Sequence, residues 1–198
     1  MKLRRSHAVF VLASFAVCLG WLVPASNPRA ADPHPETWKS GDVLFLNGTS
    51  WRSRIVRWIE GADNDFSHVG IVMKRGESVW IIHADPEFGQ DGHGQVVAEP
   101  WRAVLSPDRA SGGAVYRLTD SNTYACESAC RTADEFAKAH VPFDHNFDLN
   151  TPDRLYCTEL VWQSFQKAGI DLRPQSMGKY LFPSDLMSSS YLKRVERF

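Results

Sequence analysis

The spacing of hydrophobic and polar positions changes several times along the chain, and each change marks an element. Val43-Leu44-Phe45-Leu46 is a short apolar run entered through Lys39-Ser40-Gly41-Asp42, which predicts a strand. Trp51, Ile55, Val56, Trp58 and Ile59 fall on one face of a short helix that Gly61 would end. Strand-like runs follow at 68–73, 79–84 and 95–98, with another at 113–118 after a Ser/Pro/Asp/Gly-rich loop. Cys126, Ala129, Cys130, Ala133, Phe136 and Ala137 recur at helical spacing and predict a helix over about 122–140. An extended stretch is expected at 141–147. Cys157, Leu160, Val161, Ser164, Phe165 and Ala168 then share the apolar face of a second helix, stopped by Gly169. Pro183-Ser184-Asp185-Leu186 reads as a helix start or turn and 191–198 as a last strand, while 174–198 is assigned no function. Strands clustered centrally with helices outside the cluster predict an α+β domain built on an antiparallel sheet.

The first 31 residues follow a different logic. A basic start (Lys2, Arg4, Arg5), an apolar run from Ala8 to Val23 and a small-residue stretch to Ala31 have the layout of a secretory signal peptide. The run is shorter than the roughly 17 to 25 residues a spanning helix needs, and Pro24 ends it, so no stable transmembrane anchor is predicted. The expected organisation is a signal over 1–25, with the cut between 25 and 31, a linker over 26–38 and one domain over 39–198. The mature protein is expected outside the cytoplasm, periplasmic or secreted.

Composition narrows the function classes. Apolar residues make up 43% of the 198 positions, with 7 Trp, 5 Tyr and 11 Phe, too many for a disordered chain. A net charge of -1 gives no basic surface for nucleic acid. Four cysteines are too few for a disulfide scaffold, and Cys18 leaves with the signal. Cys126 and Cys130, one helical turn apart, are read as structural, either as small hydrophobes or as a strained bridge. Cys157 is left over.

Candidate chemistry gathers around that residue. If Arg75-Gly76 is the tip of a hairpin, Lys74 pairs with Glu77, Val72 with Val79, Gly70 with Ile81, and His68 with His83. Two imidazoles would then stand opposite each other on one face, with Cβ atoms about 4.5–5.5 Å apart, close enough for one to orient the other. Cys157 begins its helix, where the positive end of the dipole and a nearby imidazolium favour the nucleophilic thiolate. The helix is expected to carry the sulfur toward the strands bearing His68 and His83. The plainer reading is an inert core thiol beside half-buried histidines, the status expected of His93, His140 and His145. Metal binding is a further rival, but neither H-x-x-x-H nor C-x-x-C occurs, and no metal or cofactor is expected. G-x-S-x-G is absent as well.

The ordered set Gly41-Asp42-Val43-Leu44-Phe45, Ser67-His68-Val69-Gly70-Ile71-Val72, His83-Ala84, Pro142-Phe143-Asp144 and Leu155-Tyr156-Cys157-Thr158-Glu159-Leu160-Val161 resembles the YiiX/YebB-like cysteine hydrolases. These form the circularly permuted branch of the NlpC-type, papain-like peptidase superfamily, and the similarity spans about 39–170. The resemblance implies a permuted papain-like fold, a central antiparallel sheet or partial barrel flanked by helices. It implies Cys157 as nucleophile, His68 as base, His83 as the orienting residue, where many relatives carry Glu, and Tyr156 as an oxyanion donor. With export, it makes a cell-wall peptide endopeptidase or amidase, acting on peptide or peptidoglycan-derived material, the first functional expectation. The alternatives are lipid acyl hydrolysis or transfer of the lecithin:retinol acyltransferase-like type, which Trp51 and Trp58 would suit, and a non-catalytic binding module.

Overall fold

The computed structural model describes residues 32–49, 66–89, 93–120, 122–175 and 178–198. The signal segment and the 51–59 helix, with Trp51 and Trp58, lie outside the described residues. Six strands form one antiparallel sheet: β1 (Val43–Gly48), β2 (His68–Arg75), β3 (Ser78–Asp85), β4 (Gln95–Pro100), β5 (Ala110–Leu118) and β6 (Leu192–Arg197), in the order β4-β3-β2-β1-β5-β6. The helices are α1 (Trp101–Val104), α2 (Thr123–Lys138), α3 (Cys157–Lys167) and α4 (Pro183–Met187). The predicted elements are present where they are described, with two differences. Helix α1 carried no sequence signal of its own. The stretch 141–147 is not a strand but a loop, joined to β4 by an isolated bridge between Pro142 and Gln95 and by the Val96 N–H donating to the Val141 carbonyl.

Alternation along the strands sorts the core into two layers. Val43, Phe45, Val69, Ile71, Ile82, Ala84 and Val96 face α2 and α3, meeting Ala129, Ala133, Leu160, Val161 and Phe165. Leu44, Leu46, Val72, Ile81 and Val115 point the other way, onto Val104, Trp38 and Phe198. Trp38 is stacked on Phe198 at 6.0 Å between ring centroids, so the last described residue before the expected domain start is already core. The Gly41-Asp42 turn ahead of β1 has a structural task. Both carboxylate oxygens of the buried Asp42 accept from Arg117 of β5, each at 2.7 Å, a two-pronged pair that locks the strand entry. Cys126 and Cys130 are free thiols on α2, the first half-buried and the second buried. The strained bridge between them is not formed.

Among the described residues, no helix is long and apolar enough to cross a membrane.

Candidate active site

The β2–β3 hairpin turns one residue later than the sequence suggested. Arg75 pairs with Ser78, Val72 with Ile81 and Ile71 with Ile82, so the turn is Gly76-Glu77 rather than Arg75-Gly76. Gly76 has φ +59°, and a two-residue hairpin loop favours glycine where its first central residue needs positive φ. This choice shifts the expected register by two residues. A shift of two preserves the faces, so His68 and His83 still share one side, as diagonal rather than direct neighbours. Gly70 occupies the place opposite His83. A Cβ there would lie 3.1 Å from the His83 Cβ and 2.8 Å from the Ile82 carbonyl oxygen, so glycine leaves the room the imidazole fills.

The two rings meet edge to face, 5.0 Å between centroids, with His68 Nε2 2.9 Å from His83 Nδ1. Behind them stands a polar chain the sequence reading missed. His83 Nε2 lies 2.9 Å from Glu99 Oε2, and Arg109 donates to both Glu99 oxygens at 3.0 Å and to Asp85 Oδ2 at 2.7 Å. One signal could have found Glu99: alternation along β4 puts Val97 and Glu99 on one face. Val97 pairs with His83, which makes Glu99 its diagonal neighbour. Burial would raise the Glu99 carboxyl, but hydrogen bonds from His83 and Arg109 outweigh it and hold the group down to about 2. Burial also pulls His68 down to about 3, helped by its histidine neighbour, so this imidazole is neutral at physiological pH.

Alternation also sets the side of the sheet from which the histidines project. Ile71, Ile82 and Ala84 face the helices, so His68 and His83 project from the opposite side of the sheet. Helix α3 does not lie on the histidine face. The meeting point is the end of the sheet, where β2 begins at His68 and where α3 starts. Cys157, His68 and Tyr156 line one cavity of about 860 Å³ there, while His83, 1% exposed, stands behind His68. Cys157 is half-buried and is the first residue of α3, whose N-cap, Tyr156, makes no side-chain cap. Tyr156 OH accepts from the Leu181 N–H at 3.2 Å, and Thr158 Oγ1 donates to the Leu181 carbonyl at 2.6 Å. The segment 180–183, which lies within the stretch assigned no function above, is thereby strapped across the residues flanking Cys157 and joins the cavity wall. His145, expected to be unremarkable, lines the cavity too. His93 supplies its carbonyl to His145 Nε2 at 2.8 Å, and His140 Nδ1 lies 3.1 Å from Gln95 Nε2.

A cysteine at a helix start and a half-buried histidine line one cavity, with the buried His83 behind the histidine, and this arrangement is one that known proteins can test. Residues 37–196 match the permuted papain-like amidase enzymes, YaeF/YiiX, of the C92 family. The chain belongs to this family of permuted papain-like amidases. The C92 match reaches beyond the 39–170 span of the sequence resemblance and takes in the 180–183 strap and β6. YiiX of Escherichia coli (strain K12), an uncharacterized protein, is 23% identical over 130 residues, covering 66% of this chain. The chain spans 58% of the length of that relative. The crystal structure of metalloprotein YiiX from Escherichia coli O157:H7 has the same fold. It matches with a TM-score of 0.66 at 18% identity, over 81% of this chain and 97% of that one.

Proposed function

We propose that the protein is an exported cysteine amidase in which Cys157 attacks the amide, His68 is the base and His83 orients His68. The observation that supports this most is the hydrogen-bond chain running back from His68. Glu99 is an acceptor held ionised by Arg109, so His83 donates its Nε2–H to it and presents Nδ1 as an acceptor. His68 then donates Nε2–H to His83, which leaves His68 Nδ1 bare to take the thiol proton. The Cys157 sulfur adds to the carbonyl carbon, and the C–N bond breaks as His68 returns the proton to the leaving amine. Water, deprotonated by His68, then cleaves the thioester to release the acid and the thiol. The Cys157 backbone N–H and the Tyr156 hydroxyl are the oxyanion donors in this reading.

YiiX is called a metalloprotein, and one ligand atom each from His83, Asp85 and Glu99 lie within 4.8 Å of one another. That trio does not fit a metal here. The Arg109 guanidinium already donates to both carboxylates, so the positive charge a metal would bring is supplied by the protein.

The family chemistry implies an amide-containing substrate, and the signal-like first segment supports amides outside the cytoplasm, with cell-wall peptide as the first candidate. The test incubates the mature protein with muropeptides and with lipid acyl substrates and measures new amines and free fatty acid. Cys157→Ala is expected to lower turnover by at least about three orders of magnitude, as in other hydrolases stripped of a nucleophile. A variant that keeps a tenth of the wild-type rate overturns the nucleophile assignment.

A further inference from the structure

The residues on either side of Cys157 both carry hydroxyls, and both are buried: Tyr156 is 2% exposed and Thr158 is 1% exposed. Hydroxyls at that depth need partners. Both find them on one residue of the strap, Leu181, itself 1% exposed. Thr158 Oγ1 donates to the Leu181 carbonyl at 2.6 Å, and Tyr156 OH accepts from the Leu181 N–H at 3.2 Å. The two hydroxyls also hydrogen-bond each other. A threonine hydroxyl has a single proton, and here it goes to Leu181. Thr158 therefore meets Tyr156 as an acceptor, with the Tyr156 proton turned toward Thr158 Oγ1. Burial pushes the Tyr156 phenol up, so that proton stays in place at any working pH. The three groups close a ring, Tyr156 to Thr158 to Leu181 and back to Tyr156, in which each bond polarises the next.

Holding the strap does not by itself call for such a ring. Just beyond Leu181 the chain has anchors of its own. The Phe182 N–H donates to Asp185 Oδ2 at 2.8 Å, the Asp185 N–H returns to the Phe182 carbonyl at 3.1 Å, and Leu186 is fully buried. What the ring adds is a fixed place and direction for the Tyr156 hydroxyl, next in sequence to the candidate nucleophile.

We infer that Thr158 is a positioning residue for the amidase reaction: with Leu181 it holds the Tyr156 hydroxyl so that its proton is given to the oxyanion of the transition state and not to the carbonyl of the bound substrate. The inference rests on the proposed reaction, with Tyr156 as oxyanion donor, and adds a residue to it. A substrate carbonyl is a neutral acceptor, as Thr158 Oγ1 is, and offers the Tyr156 proton nothing stronger than the bond it already has. When the Cys157 sulfur adds to the carbonyl carbon, the π pair of the C=O bond moves onto oxygen. A hydrogen bond to that charged acceptor is about twice as strong as one to a neutral acceptor. The Tyr156 proton then turns from Thr158 to the oxyanion, while the Leu181 N–H keeps the phenol oxygen where it was. An interaction made only in the transition state raises kcat without tightening substrate binding.

The experiment measures kcat and KM separately on the full mature protein with muropeptides as substrate. Thr158→Val keeps the shape of the side chain and removes its hydroxyl. It is expected to lower kcat about 10- to 100-fold, less than the roughly 10²–10³ that a lost oxyanion donor costs, with KM unchanged or lower. Thr158→Ser keeps the hydroxyl and should return kcat to near the wild-type value. Tyr156→Phe should lower kcat by about 10²–10³, and adding Thr158→Val to it should cost nothing further, because the group that Thr158 positions is already gone. Should the buried valine unfold the chain, Thr158→Ala, which leaves room for a water on the Leu181 carbonyl, reads the same cycle. A Thr158 effect of equal size with and without the Tyr156 hydroxyl, or one confined to KM, overturns the inference and leaves the amidase reaction standing. Full kcat in Tyr156→Phe removes the oxyanion donor and the inference together while Cys157 keeps its role. Failure of the wild-type protein to cleave any amide overturns the amidase reading and the inference with it.

Discussion

Helices α2 and α3 both carry cysteines, and they use them in opposite ways. On α2, Cys130 sits mid-helix against the sheet, donates its thiol to the Val72 carbonyl at 3.1 Å, and is pushed up to about 12 by burial. Burial raises the half-buried Cys126 as well. The head of this helix is closed by the Asn122 side chain, which accepts from the Ala125 N–H at 3.0 Å. On α3, Cys157 is the first helical residue, no side chain caps the start, and the thiol shares a cavity with a neutral histidine. The same atom is thus a small hydrophobe in one helix and a candidate nucleophile in the other. Position along the helix and the group across the gap decide which, because ionisation is favoured by the positive end of the helix dipole, a neutral imidazole able to take the proton and an open approach.

Alkylation breaks or upholds this contrast most directly. In the folded protein at pH 7, iodoacetamide is expected to modify Cys157 at least about a hundredfold faster than Cys130, whose thiolate is scarce. Peptide mapping by mass reads the ratio, and equal rates would end the comparison.

The next test removes what α3 has across the gap and α2 lacks. Glu99→Gln takes away a charge-assisted bond to His83 worth about 1.5–3 kcal/mol, so kcat/KM should fall about 10- to 150-fold while Cys130 alkylation stays as it was. Unchanged turnover would mean that the chain behind His68 orients nothing.

The smallest effect concerns the first turn of α3 itself. Glu159 is fully buried, its Oε2 has no hydrogen-bond partner among the described residues, and Oε1 accepts from Gln163 at 3.0 Å. Burial is the main reason its carboxyl is raised to about 8, with the neighbouring Asp144 adding to it. The native state therefore holds a proton that the unfolded chain releases near pH 4.5, and stability is full below that pH and declines as pH rises toward 8. Glu159→Gln should flatten this slope, removing several degrees of the Tm difference between pH 5 and pH 8, at about 2–4 °C per kcal/mol for a chain of this size. A slope as steep in the variant would place the titrating group elsewhere.

The strands and the two long helices were legible because each buries one face, and a buried face leaves a period in the sequence. The histidine pair was legible for the same reason: a register slip of two residues changes partners without changing faces. Glu99 and Arg109 were not, since they belong to β4 and the loop before β5, and nothing local marks two charged residues as neighbours of a histidine on another strand. The role of 180–183 was hidden likewise, because the strap is held by Tyr156 and Thr158, 25 and 23 residues away in the chain.

By itself the sequence determined the α+β class, the sorting of cysteines between a helix face and a helix start, and the facing of His68 and His83. These follow from periodicity and turn chemistry, which act over a few residues. Tertiary structure alone decided that the histidines turn away from the helices and that His68 lines the same cavity as Cys157. It also decided that a carboxylate and a guanidinium back them. Those outcomes depend on which strands become neighbours and how loops close over them, and the contacts responsible join residues far apart in the chain.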